Sequence, residues 1–246
     1  MASETNGQTL RFPHNPKFDE HFAAISKITW YPYVGNEFGR NSRRVMVFGH
    51  NMPVLDSDKE GPAKIDSWKA RTTFTSEWME EWAYVQKPYT KSFRAFIKGS
   101  VGLADFNMKS SADITSKVDA FVREIAYANF IQGVVRTATV CTTATDTMVQ
   151  QSKLINRKIL DILDLTHCIC WGSHVFNYIT TLDGVEMRDL KPFSRKGFAY
   201  AALRDGCGRQ MHVLKVYHPC MPGFYGNLQG THEIIRDFLS LPPLNR

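Results

Sequence analysis

Apolar residues fall along the chain in short runs that end on glycine or polar positions, and the spacing within each run separates strands from helices. Residues 44–48 (Arg-Val-Met-Val-Phe) are β-branched-rich and stop at Gly49, which predicts a buried strand and a tight turn. Residues 124–129 predict a second strand running into a polar end at Asn129, and 166–171 a third. A helix over 173–180 comes directly after Gly172. Residues 198–203 and 211–217 read as hairpin arms around Asp205-Gly206-Cys207-Gly208, the second arm ending at His218-Pro219. The clearest helix covers 145–163, where Met148, Ile155, Ile159 and Ile162 recur at helical spacing between Asp146 and Asp164. Helices are also predicted over 74–84 and 91–99, with Phe74, Trp78, Trp82, Phe93 and Phe96 to one side. A last one covers 231–239, capped by Thr231 with Ile234, Ile235 and Phe238 inward. Residues 1–18 are polar and broken by Pro13 and Pro16, as in a tail or strap, and 53–70 are polar and loop-like.

Strands separated by helices predict an α/β sheet with helices on both faces. With 246 residues and 43% hydrophobic content the chain builds one sizeable core, so 19–246 reads as a single domain. Ligands of such sheets bind beyond the carboxyl ends of the strands. Gly49-His50-Asn51, Asn129-Phe130, Gly172-Ser173-His174 and His218-Pro219 each come after the last apolar residue of a strand, so four strand ends are expected at one cleft.

Composition narrows the chemistry. Lys+Arg 30 against Asp+Glu 24 gives net +6 and a pI near 9.0, which suits a polyanionic partner without requiring one. No apolar stretch approaches a bilayer span, and residues 1–9 lack an apolar signal core. Five cysteines, an odd number without a paired framework, favour a reducing cytoplasm. Cys168 and Cys170 alternate in one apolar run and read as buried thiols rather than metal ligands. The chain has neither a phosphate-cradling P-loop nor a Gly-x-Ser-x-Gly elbow.

Taken in order over residues 28–240, the strand-end motifs resemble the uracil-DNA glycosylase superfamily. Val45-Met46-Val47-Phe48-Gly49-His50-Asn51 resembles its first motif, a strand into Gly-x-Asp or Gly-x-Asn. Ile125-Ala126-Tyr127-Ala128-Asn129-Phe130 resembles the middle strand ending in Asn. Cys168-Ile169-Cys170-Trp171-Gly172-Ser173-His174 resembles the apolar strand running into Gly and a helix, and Val216-Tyr217-His218-Pro219-Cys220-Met221-Pro222-Gly223-Phe224 the final strand into His-Pro-Ser and a loop. Trp30-Tyr31-Pro32-Tyr33-Val34-Gly35 and Tyr127-Ala128-Asn129-Phe130-Ile131-Gln132 are similar to a bacterial branch whose members mostly carry no assigned substrate. Two positions depart from the pattern. Cys220 stands where Ser is usual, and Met52-Pro53 replaces the Pro-Tyr whose ring excludes thymine in the strict uracil enzymes.

The resemblance implies a three-layer sandwich with a mostly parallel central sheet. It also implies a monomeric, cofactor-free and metal-free DNA glycosylase that flips a nucleotide and leaves an abasic site. Asn51 would orient a water, since an amide does not ionise, and His218 would donate a hydrogen bond to the developing base oxyanion. Asn129, His50 and Pro53 would line the base, with Trp68 or Phe74 stacking on it. Ser173, His174, Pro219, Cys220, Met221, Phe224 and Tyr225 would meet DNA, with Phe224 or Met221 as the wedge that fills the vacated stack. Pro53 leaves the pyrimidine 5-position open. The polar stretch after it (Asp56, Ser57, Asp58, Lys59, Lys64) suits a hydrophilic 5-substituent, such as the hydroxymethyl or glucosyl groups of viral cytosine. Uracil or a mismatched base, a nucleoside hydrolase, and a non-catalytic DNA-binding relative stay open as alternatives. Each strand-end polar residue also has an ordinary role as a turn or capping group.

Overall fold

The computed structural model describes residues 12–50, 52–55, 79, 91–102, 112–137, 144–182, 186–188, 197–204 and 208–244. Asn51, Trp68, Phe74, the polar stretch 56–70 and the turn 205–207 lie outside the described residues, as do the side chains of Pro53 and Tyr225.

A seven-stranded sheet forms the centre. Its strands are β1 (Tyr33–Val34), β2 (Val45–Gly49), β4 (Ile125–Asn129), β6 (His167–Trp171), β7 (Glu186–Arg188), β8 (Ala199–Arg204) and β9 (Gln210–Val216), ordered β1-β4-β2-β6-β9-β8-β7. β3 (Met52–Leu55) and β5 (Val134–Thr137) form a separate parallel pair. The helices are α1 (Asp19–Ala23), α2 (Lys91–Val101), α3 (Ala112–Glu124), α4 (Asp146–Leu163), α5 (Gly172–Thr180), α6 (Pro222–Tyr225) and α7 (Leu228–Leu239). The main sheet is mixed rather than mostly parallel. Parallel pairing joins β4, β2, β6 and β9, whereas β1, β8 and β7 pair antiparallel outside them. The hairpin that delivers β9 makes one antiparallel margin, and the returning chain before β2 makes the other.

The period-two alternation of the central strands splits their side chains between two cores. Val45, Val47, Ile125, Tyr127, Ile169, Trp171, Leu214 and Val216 pack on one face with Phe93 and Phe96 of α2, Val118 and Val122 of α3, and Ile234, Ile235 and Phe238 of α7. Met46, Phe48, Ala126, Ala128, Cys168, Cys170 and Val213 pack on the other with Ile155, Ile159 and Leu163 of α4 and Val175 and Ile179 of α5. β2 and β6 are buried along their whole length, as strands covered on both faces must be. Each buried Val, Leu, Ile or Phe contributes about 1.5–3 kcal/mol of transfer free energy. No helix among the described residues is long and apolar enough to cross a membrane.

Several local expectations change. The polar stretch from Pro53 starts as a strand, because Met52–Leu55 aligns with Val134–Thr137; Pro53 lies in a two-stranded sheet, where an edge position tolerates a missing N–H. Thr231 is not a cap. Asn227 caps α7 by accepting from Gly230 N–H at 3.1 Å, and Thr231 is buried one turn further in. On α4 the buried stripe runs through Val149, Ser152, Ile155, Asn156 and Ile159, with Met148 and Ile162 at its margins. Thr145 does cap that helix, accepting from Met148 N–H at 3.3 Å. Within residues 12–18, Phe12 is fully buried in the core and His14 bridges to Gly35; residues 1–11 of the expected tail or strap lie outside the described residues.

Candidate active site at the ends of four parallel strands

β4, β2, β6 and β9 are consecutive and parallel, so the polar residues at their ends lie side by side along one edge of the sheet. In register Gly49 faces Asn129, and Phe130 N–H and Ile131 N–H donate to the carbonyls of Gly49 and His50 at 2.8 and 2.9 Å. The first two motifs are therefore one hydrogen-bonded unit. Gln132 ties in the Trp30 segment: its Oε1 accepts from the backbone N–H of Thr29 and Trp30 at 3.2 and 3.1 Å.

Gly49 has a steric reason to be glycine. A Cβ there would stand 2.4 Å from Asn129 Oδ1, 2.7 Å from the Tyr127 hydroxyl and 3.5 Å from Trp171 Cε3. Asn129, Tyr127 and Trp171 thus close over the bare backbone of β2. The Tyr127 hydroxyl donates to Asn129 Oδ1 at 3.3 Å, and the Tyr127 ring lies 5.5 Å from that of Trp171. The Trp171 and His218 rings in turn meet edge to face, with centroids 5.9 Å apart at 83°. Gly172 has φ +82°, which an L side chain rarely adopts, and turns β6 into α5; a Cβ added there would stand 3.7 Å from His218 Cβ. Asn129, Gly49, Trp171, Gly172 and His218 are linked contact by contact.

His218 has a defined tautomer. The backbone N–H of Cys220 donates to its Nδ1 at 3.3 Å, and Cys220 Sγ lies 2.8 Å from the same nitrogen. An Nδ1 that accepts carries no proton, so neutral His218 bears its hydrogen on Nε2 and is a donor there. Burial lowers its pKa, which keeps the ring neutral at physiological pH. Cys220 therefore meets His218 through both its thiol and its backbone N–H.

His50 lies toward the second core. Its ring stacks on His174 at 5.5 Å and on Tyr178 at 6.1 Å, and Tyr178 packs on Phe130 at 5.2 Å. Burial first, then the proximity of His174 and His218, lower the His50 pKa to about 4. His50 Nε2 is buried and has no hydrogen-bond partner among the described residues. Ser173 and His174 are exposed on the first turn of α5.

The loop after His218 turns tightly, with Met221 N–H donating to His218 O at 2.8 Å and Phe224 N–H to Met221 O at 2.9 Å. It sends Phe224 inward. Phe224 is 0% exposed and its ring fills the space left by Gly99, so the expectation of an exposed Phe224 wedge is corrected; core packing takes the ring. Met221 is 51% exposed, a large apolar side chain open to solvent in this loop. Pro219 is buried and Cys220 exposed. Tyr127, Trp171 and Tyr178 were not singled out in the sequence as site residues. For Tyr127 the signal is its position two residues before Asn129, on the same strand face.

Among the described residues no group of three or more His, Cys, Asp or Glu side chains is placed to hold a metal ion. The Cys168 and Cys170 thiols, 3.8 Å apart, are fully buried on the second core. A small cavity lies off the row, at the opposite end of the parallel strands. Its Asp161 is already paired with Arg157 and Arg209. Comparison of the chain with models of known protein families and with characterised proteins yields no match to either.

Proposed function

We propose that this protein is a monofunctional DNA glycosylase of the uracil-DNA glycosylase type, hydrolysing the N-glycosidic bond of a flipped pyrimidine to leave an abasic site. The observation that carries this reading is the adjacency of four motif-bearing strand ends in one parallel row, with His218 fixed as an Nε2–H donor beside it. N-glycosidic cleavage is largely dissociative: the sugar becomes cation-like and the base leaves as an anion. A donor aimed at the departing base oxygen stabilises that charge, and a neutral imidazole does so without surrendering its proton. Asn51, next in the chain after His50, orients the attacking water; a near-cationic sugar needs no ionised base to activate it.

The exposed first turn of α5, with Ser173 and the open N–H groups of a helix start, suits a DNA phosphate. Met221 is the wedge. It is apolar, exposed and three residues from His218, and inserting it offsets part of an unstacking cost of a few kcal/mol. No lysine occurs in the four motifs to form a Schiff base, so strand cleavage requires added alkali. We assign the substrate as a cytosine carrying a polar 5-substituent, because Pro53 lacks the aromatic bulk that closes the 5-position in strict uracil enzymes.

The test is mass-spectrometric detection of free base from duplexes containing 5-hydroxymethylcytosine, run beside the matching free nucleoside with chelator present. Release from the duplex alone is the expected result. Release from the nucleoside alone supports a nucleoside hydrolase instead, and duplex binding without release a non-catalytic relative.

A further inference from the structure

Tyr127 and Asn129 leave the same face of β4, and the space above them exists because residue 49 has no side chain. Tyr127 is 3% exposed, and its ring is held 5.1 Å from Phe93 and 5.5 Å from Trp171, so its hydroxyl has little freedom to move. Burial also raises its pKa, so the phenol keeps its proton at neutral pH and acts as a donor. That proton is directed at Asn129 Oδ1, 3.3 Å away. The oxygen and nitrogen of a carboxamide occupy opposite corners of one plane, so holding Oδ1 against Tyr127 turns the Nδ2 hydrogens away from the buried ring. Asn129 itself is only half-buried. A free amide offers a donor or an acceptor according to which way it flips. This one is held in a single orientation.

We propose that Tyr127 is a positioning residue that locks the Asn129 amide, so that the strand row presents a hydrogen-bond donor and selects bases by an acceptor on the facing edge. This rests on the glycosylase reading and narrows it. 5-Hydroxymethylcytosine and 5-hydroxymethyluracil share a 5-substituent but have opposite edges. The cytosine ring has an acceptor at position 3 and a donor at 4; the uracil ring has a donor at 3 and an acceptor at 4. Position 2 is a carbonyl in both, so the discrimination arises at positions 3 and 4: whichever of those two meets Nδ2, one base pairs and the other is opposed.

Two measurements on the full chain test the proposal. The first needs no DNA: the Asn129 ¹³Cγ resonance is compared in wild type and Tyr127→Phe, which removes the hydroxyl and keeps the ring. A shift is expected on loss of the hydrogen bond, and an unchanged resonance overturns the positioning role. The second is the ratio of base-release kcat/KM for the two 5-hydroxymethyl duplexes. Wild type is expected to prefer the cytosine duplex by about tenfold or more, with Tyr127→Phe narrowing the ratio to about threefold or less. Asn129→Asp, which has acceptors only and still receives the Tyr127 proton, should reverse the preference. A ratio unmoved by both variants overturns selection through the amide. Release of neither base by wild type refutes the glycosylase reading and base selection with it, while the ¹³Cγ shift still decides whether Tyr127 locks the amide.

Discussion

One methyl group at Gly49 is the most local disturbance the strand row allows. The Cβ of Gly49→Ala would stand 2.4 Å from Asn129 Oδ1, against 3.4 Å for ordinary contact, so Asn129 must retreat by about 1 Å. It cannot retreat toward Tyr127, whose hydroxyl is itself 2.7 Å from the new carbon and whose ring is packed against Phe93 and Trp171. Overpacking of this kind costs about 1–3 kcal/mol, and the displaced Tyr127–Asn129 hydrogen bond about 1 kcal/mol more. Urea unfolding should therefore show a loss of about 2–4 kcal/mol. Single-turnover base release should fall by about 100-fold, the usual penalty for a 1 Å misplacement. Gly172→Ala is the contrasting control. Among the described residues its Cβ would meet nothing closer than His218 Cβ at 3.7 Å, so its cost is the backbone strain of φ +82°, about 1–2 kcal/mol. Gly49→Ala with wild-type stability and full turnover would refute the packing of Asn129 over the bare β2 backbone.

The same geometry fixes other outcomes. His218→Ala and Asn51→Ala should each slow base release at least about tenfold, roughly 1.4 kcal/mol, with little change in DNA affinity by fluorescence anisotropy. Near-normal turnover in both would contradict their roles. Met221→Ala should slow release from duplex by about tenfold but leave single-stranded substrate unaffected, since only the duplex has a stack to refill; equal loss on both would remove the wedge. His167 is wholly buried, and burial first, then the nearby His212, lowers its pKa to about 4. Its folded pKa lies below an unfolded value near 6.5. The unfolded chain therefore binds the extra proton, and stability present above about pH 6.5 is lost as pH falls toward 4, by up to about 1.4 kcal/mol per pH unit. Urea midpoints at pH 7.5, 6 and 5 should fall in that order, and more gently in His167→Gln; equal slopes would place the acid sensitivity elsewhere.

The central strands were legible because burial on both faces leaves near-continuous apolar runs, and 44–48, 124–129 and 166–171 reappear as β2, β4 and β6 within a residue or two. Their polar ends were legible for the same reason: a run that must stop at the sheet edge leaves the next residues open to solvent or ligand. α3 was missed. Its buried face rests largely on Val118 and Val122, with Phe121 beside them, and it runs into β4 with no turn residue between. β1 and β7 are too short for period two to register. Phe224 was misread because Pro222-Gly223 marks a turn but does not say which way the next ring points. The Tyr127–Asn129 bond and the His218 tautomer depend on distances between side chains, which spacing along the chain does not encode.

On the glycosylase reading, the strand-end row breaks an N-glycosidic bond with His218 as the donor to the leaving base. Alkali-labile sites can be quantified in duplexes bearing uracil, thymine opposite guanine, 5-hydroxymethylcytosine and its glucosylated form, with wild type and His218→Ala side by side. Alkali-labile sites are expected at a 5-substituted cytosine with wild type, at least about tenfold fewer with His218→Ala, and no strand breaks before alkali. Efficient release of uracil with both modified cytosines untouched would contradict the open 5-position, and no alkali-labile sites in any duplex would contradict the glycosylase itself.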